Sequence, residues 1–149
     1  MQVKFKKLNS AIGVTIPEPA YATAGAAGID LAASIKESLV VAPQERVLVP
    51  TGLAVDIPTD NVVGLVFPRS GLASKYGLTL ANAVGVIDSD YKGEIKCAIH
   101  NNGEEPYEIK PGDRIAQLVF VPCFHVEIAY TDQLTASDRA DGGFGSTGR

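Results

Sequence analysis

The apolar runs of this chain are short, and proline, glycine or an Asx residue ends nearly every one of them. That punctuation leaves no room for long helices and predicts many brief strands joined by tight turns. Val3 and Phe5 alternate with Lys4, Lys6 and Lys7, the pattern of an edge strand guarded by lysines. Ile29 and Leu31 flank Asp30 in a short strand-like run, so the acid faces away from both. Leu39 to Val41, Val47 with Val49, and Leu53, Val55 and Ile57 follow, broken at Pro43, Pro50 and Pro58. Val62 to Phe67 carries no polar side chain and predicts a strand buried on both faces. Ile115 to Val121 forms a last long strand, with Gln117 a polar interruption inside it. The expected class is all-β, a barrel or sandwich. Its one short helix, Leu72 to Tyr76, has Ser70 as N-cap and Gly77 as stop.

One stretch stands apart. Asn82 to Lys96 reads NAVGVIDSDYKGEIK. Its first half is small and apolar, Gly85, Val86 and Ile87 included. Asp88, Asp90 and Tyr91 follow, and Lys92-Gly93 predicts a turn. Ile95, Cys97 and Ile99 then alternate with Glu94, Lys96 and His100. The expectation is a β-hairpin with a carboxylate and a tyrosine at its rim. A small apolar arm lets a flat ligand approach the main chain, whose N–H and C=O groups can read its edge. A plain solvated hairpin tip fits the same residues. Asn102-Gly103 and Pro111-Gly112 predict two further turns.

Composition limits the function classes. The 149 residues suit one domain, and 46% hydrophobic content supports a core. A net charge of -4 argues against a phosphate-backbone binder, so no nucleic-acid partner is expected. A small anion needs only a few local cations. Cys97 and Cys123 lack disulfide or metal spacing and read as buried thiols. No basic-then-apolar leader opens the chain and no apolar run nears membrane-spanning length, so a soluble cytoplasmic protein without a membrane partner is expected.

Other candidates lie along the chain. Arg69, Ser70 and Gly71 stand where the helix begins, an anion site or ordinary capping with a surface arginine. Asp30 is a ligand-facing or a solvent-facing acid. Arg114 and Gln117 need partners where buried, and a structural role suits Arg114. His100 and His125 have no ligand spacing around them. The end, Arg139 to Arg149, is glycine-rich and polar, the composition of a disordered tail. Gly143 and Gly148 have the spacing of a phosphate loop, but Arg149 replaces its lysine and no helix follows, so that reading is rejected. A mobile arm could still close over a nucleotide, with Phe144 stacked on a base and Arg139 with main-chain amides on a terminal phosphate.

Five stretches in order then resemble the trimeric deoxyuridine triphosphatase (dUTPase) family: AGIDLAA (27–33), PRSGLA (68–73), NAVGVIDSDYKGE (82–94), GDRIAQL (112–118) and RADGGFGSTG (139–148). Ala140 departs from the glycine usual there. The resemblance implies a jelly-roll or distorted β-barrel, residues 1–131, followed by a flexible glycine-rich arm, 132–149. It implies a homotrimer whose active sites are shared among subunits. The implied reaction splits dUTP into dUMP and pyrophosphate, limiting uracil in DNA and supplying dUMP for dTMP synthesis. Asp88 is then the general base. Tyr91 packs on the deoxyribose, and Asn82 with the main chain of Gly85 to Asp88 reads uracil, with Lys96 contributing. Arg69, Ser70 and Gly71 hold phosphates. Gln117 holds the attacking water or the water shell of Mg2+, and Asp30 touches that ion through water. Arg139, Gly145, Ser146 and Thr147 clamp the γ-phosphate beneath Phe144. Arg114 is expected to be a structural partner of an acid at a trimer contact. A dCTP deaminase-like trimer and a non-catalytic nucleotide-sensing trimer are the alternatives.

Overall fold

The computed structural model describes residues 1–142. In chain order the first strands are β1 (Lys4–Lys7), β2 (Ala20–Tyr21), β3 (Ile29–Ala32), β4 (Leu39–Val41), β5 (Arg46–Pro50), β6 (Leu53–Asp56) and β7 (Val62–Pro68). Helix α1 (Ser70–Tyr76) comes next, then β8 (Leu78–Leu80), β9 (Gly85–Ile87), β10 (Lys96–Asn101), β11 (Tyr107–Ile109) and β12 (Arg114–Pro122). All named pairings are antiparallel. One sheet has the order β2-β3-β12-β7-β9, another β5-β10-β8, and β1-β6 and β11-β4 form two-stranded ribbons. This is an all-β fold of the jelly-roll type with open sheets, in which sequence neighbours are seldom partners. No helix among the described residues is long and apolar enough to cross a membrane.

Alternation does the packing. Leu31, Val41, Val49, Ile95, Ile109, Ala116 and Leu118 are fully buried, one strand after another contributing every second residue. Each large aliphatic chain so buried contributes about 1.5–3 kcal/mol. β12 is the spine. It pairs with β3 over Arg114–Leu118 and with β7 over Ala116–Pro122. Its register shifts between Arg114 and Ala116, a bulge that leaves Ile115 and Ala116 both buried in succession.

Several expectations are corrected. β7 is not buried on both faces: Gly64 and Val66 are buried, while Val63, Leu65 and Phe67 stay half-buried on the opposite face. Asn82 to Lys96 is not one closed hairpin. β8 and β10 pair at Leu80 and Ile99, but β9 leaves them and pairs with β7, opposite Gly64 and Leu65. Gly64 makes this possible, because a Cβ there would crowd Ile87 at 3.2 Å. The tight turn falls on Ser89-Asp90, where the Tyr91 N–H donates to the Asp88 carbonyl at 3.1 Å, and not on Lys92-Gly93. Asn102-Gly103 closes no hairpin either. Buried Asn101 makes that corner, donating to the carbonyls of Val41 (2.9 Å) and Glu105 (2.8 Å), so that β11 departs to β4. Ser70 is not the N-cap: Arg69 holds that position with no side-chain cap, because the helix begins at Ser70, two residues before the expected Leu72. Gly77 does end the helix in the left-handed conformation, and Gly112 (φ 82°) makes the Pro111-Gly112 turn.

Cys97 is buried and Cys123 half-buried, both free. Burial pushes the Cys97 thiol up to about 12 from 9.0. It therefore stays protonated in the native state at neutral pH, and its contribution to stability is lost as pH rises from about 9 toward about 12. We predict that iodoacetamide at pH 8 leaves Cys97 unmodified in native protein and labels it after unfolding, as mass spectrometry of the Cys97 peptide would report.

Candidate active site

Asp30 organises the first of two clefts. It sits in β3 opposite Gln117 of β12, with its carboxylate one-fifth exposed. Arg69 Nε meets Asp30 Oδ1 at 3.2 Å, and Arg114 Nη1 donates to Oδ2 at 3.0 Å. Arg69 Nη1 also donates to the Arg114 carbonyl at 3.2 Å. The bulge explains the grouping. In a regular strand Arg114 and Gln117 face opposite sides, and the extra residue turns both toward Asp30. Asp30 is thus a partner acid of Arg114 within the same chain.

Gln117 Nε2 donates to the Pro68 carbonyl at 3.2 Å, leaving its amide oxygen beside Gly28. A Cβ at Gly28 would stand 2.7 Å from that oxygen, so Gly28 must lack a side chain for Gln117 to lie there. Asp30, Arg69, Ser70, Gly71, Gln117 and Gly28 line a cleft of ≈ 480 Å3. Two N–H groups of Arg69 are thus engaged, of the five that a guanidinium carries.

The second cleft, ≈ 390 Å3, gathers Asn82, Gly85, Val86, Ile87, Asp88, Tyr91 and Lys96. Both volumes suit small-molecule sites. Pairing of β9 with β7 holds one wall, and β10 supplies the other. Asp88 and Tyr91 stand exposed at the rim. The Tyr91 hydroxyl donates to the Glu94 carbonyl at 2.9 Å, and the ring lies close against Gly93, where a Cβ would come within 2.6 Å of the phenol oxygen. Gly93 is therefore needed for space and not for a positive φ.

The clefts share no lining residue. Arg139 belongs to neither: it is exposed, and its Nε donates to the Gly142 carbonyl at 2.9 Å. Phe144, Gly145, Ser146 and Thr147 lie outside the described residues. Gly28, Gly93 and Glu94 were missed as functional residues. The first two stand inside the motifs, yet only packing shows whose side chain each accommodates.

Residues 14–148 match the family model for dUTPase. This chain belongs to the dUTPase family. It is 58% identical over 130 residues to a deoxyuridine 5'-triphosphate nucleotidohydrolase of Desulfitobacterium hafniense (strain DSM 10664 / DCB-2), covering 87% of this chain and 86% of the relative. Its structure is similar to that of the Staphylococcus bacteriophage 80alpha dUTPase with dUPNHPP, with TM-score 0.88, 30% identity and 99% of each chain covered. It also resembles a mutant dUTPase of S. aureus phage phi11 described as coordinating a structural Mg(II) ion, with TM-score 0.79, 26% identity, and 91% and 100% coverage.

For a dUTPase the metal question is specific. No three His, Cys, Asp or Glu side chains converge among the described residues, and both Asp30 oxygens already meet arginines. That donor set does not suit a dehydrated ion in a protein cage. It suits a hydrated one reached through water.

Removing the Asp30 charge leaves two arginines without their counter-ion. We predict that Asp30→Ala lowers unfolding stability by about 1–3 kcal/mol, read from urea denaturation, while Asp30→Asn loses less because it retains an acceptor.

Proposed function

We propose that this protein hydrolyses dUTP to dUMP and pyrophosphate in the cytoplasm, limiting uracil available to DNA synthesis and supplying dUMP. The observation that carries the reading is the second cleft. It joins a main-chain edge (Gly85 to Asp88), an amide (Asn82), an aromatic ring (Tyr91) and a rim carboxylate (Asp88) in one pocket of nucleoside size.

Uracil lies along β9 as a strand lies along its partner. Its acceptor at position 4 meets a main-chain donor, whereas cytosine offers an amino group there and leaves buried groups unpaired. Tyr91 packs on the deoxyribose and excludes a 2′-hydroxyl. Lys96 contributes at the pocket wall. Asp88 orients a water and takes its proton as the oxygen attacks the α-phosphorus. The bond from that phosphorus to the bridging oxygen breaks, and pyrophosphate leaves with the electron pair. Phosphoryl transfer of this kind is governed by positioning and charge stabilisation.

The phosphates extend toward an Asp30 cleft, where Arg69, Ser70 and Gly71 bind them and Gln117 holds water. Asp30 and Gln117 would hold a hydrated Mg2+ through water, and the ion would supply charge neutralisation to the phosphates. The two clefts share no lining residue within one chain. A homotrimer would join the Asp30 cleft of one subunit to the β9 cleft of another. The run after β12 supports self-association: Phe124, Val126, Ile128 and Tyr130 alternate along the chain and are all largely exposed. Residues 132–149 then act as an arm over a neighbour's site, with Arg139, Gly145, Ser146 and Thr147 on the γ-phosphate and Phe144 over uracil.

The expected result with Mg2+ is pyrophosphate release from dUTP and not from UTP, dCTP or dTTP, with kcat reduced ~10²–10⁴-fold in Asp88→Asn. Turnover retained in that variant removes Asp88 from the base role. Ammonia release from dCTP favours deamination, and dUTP binding without turnover favours a sensor. Deleting residues 139–149 is expected to leave the melting temperature unchanged and to reduce kcat at least tenfold, on the same scale of positioning effects. Equal turnover by the truncated chain excludes the arm.

A further inference from the structure

Tyr91 can exclude a ribose only if its ring is held at a fixed depth, and the fixing residue is identifiable. The ring has two constraints, the absent side chain of Gly93 beneath it and the Glu94 carbonyl that receives its hydroxyl. Both belong to main chain that needs its own anchor. Glu94 supplies it: Oε1 accepts the N–H of Gly52 at 2.9 Å, 42 residues away in sequence.

Gly52 stands at a crowded corner that is hydrogen-bonded to the end of β1. It turns the corner between β5 and β6 at φ 67°, and a Cβ there would meet Ser34 Oγ at 2.6 Å and Ile12 Cδ1 at 2.9 Å. Its carbonyl receives the Leu8 N–H at 2.7 Å, tying the corner to the end of β1. The next residue of the loop is seated on the same corner. Ile95 accepts from Thr51 Oγ1 at 2.7 Å and donates to the Leu53 carbonyl at 2.8 Å. The Glu94 side chain is three-quarters buried, with Lys96 Nζ 3.7 Å from its other oxygen.

We propose that Glu94 is a positioning residue for sugar selection: through Gly52 it sets the depth of the Tyr91 ring and so the discrimination between deoxyribose and ribose. The inference rests on the reading of Tyr91 as the sugar gate. Without the Glu94 carboxylate, the Gly52 N–H turns to water and the 93–94 main chain relaxes, carrying the phenol outward. The Oε1 acceptor carries this effect, so an amide at the same position preserves it.

The test compares kcat/KM for dUTP and UTP in wild type, Glu94→Ala, Glu94→Gln, Tyr91→Ala and Tyr91→Phe. The expected ratio of dUTP to UTP falls about tenfold in Glu94→Ala, the scale of one net hydrogen bond, and returns to wild type in Glu94→Gln. The Glu94→Ala loss should appear chiefly as a gain on UTP. A purely structural loss lowers both substrates together. If Glu94→Ala does not fold, Tyr91→Phe, which removes the hydroxyl bond to Glu94, carries the same expected fall. An unchanged ratio in Glu94→Ala, or a fall that Glu94→Gln does not restore, overturns the proposal. A ratio unchanged in Tyr91→Ala overturns the gate itself, a separate failure.

Discussion

The structure depends on β12 and its bulge. One strand pairs with β3 on one edge and β7 on the other, so it carries the core and both edges of the Asp30 cleft. Its buried residues, Ile115, Ala116 and Leu118, commit it to the interior. Its polar residues must then share the opposite side, and the extra residue between Arg114 and Ala116 allows this. A regular strand would present Gln117 to Asp30 and turn Arg114 away. The bulge delivers both, and a carboxylate with two arginines becomes a preorganised charged floor.

The second cleft follows a different logic. β9 is too short to be stable alone, and it is stitched to β7 opposite Gly64, where the absence of a side chain admits Ile87. This leaves the apolar segment with one edge paired and the other available to a ligand. The same device recurs at smaller scale. Gly93 clears space for a tyrosine ring and Gly28 clears space for an amide. In each case a residue with no chemistry of its own decides where a chemical group can be. The two clefts divide the chemistry, Asn82, Asp88 and Tyr91 lining one and Asp30, Arg69 and Gln117 the other.

Charge is used sparingly. The chain is acidic overall, yet Arg69 and Arg114 both converge on the single acid Asp30, and of the two Arg69 lines the cleft. A free arginine pair would repel itself. Asp30 offsets that repulsion and keeps the guanidinium donors oriented.

How much of this was legible in the sequence follows from the range of each interaction. Strand identity came from alternation, which is local: β1, β3 to β7, β10 and β12 all stand where apolar and polar residues alternate or run together between prolines and glycines. Asp30, Arg69, Ser70, Gly71 and Gln117 of one cleft and Asn82, Gly85 to Asp88, Tyr91 and Lys96 of the other were legible from motifs in a fixed order, because those motifs are contiguous, whereas Gly28 and Glu94 were not. Partner choice was not. Asn102-Gly103 has the sequence of a hairpin turn, but Asn101 binds Val41 some sixty residues away and sends the chain elsewhere. Lys92-Gly93 likewise suggested a turn that Ser89-Asp90 makes instead. The bulge in β12, the escape of β9 to β7 and the hold of Glu94 on Gly52 all depend on residues brought together across the fold. The sequence by itself therefore determined the class, the short strands and the identity of the chemical groups, since nearest-neighbour sterics and hydrophobic periodicity set those. Tertiary structure alone decided register, facing and spacing, because a strand's edges are satisfied by whichever distant strand buries the most apolar surface while leaving no polar group unpaired.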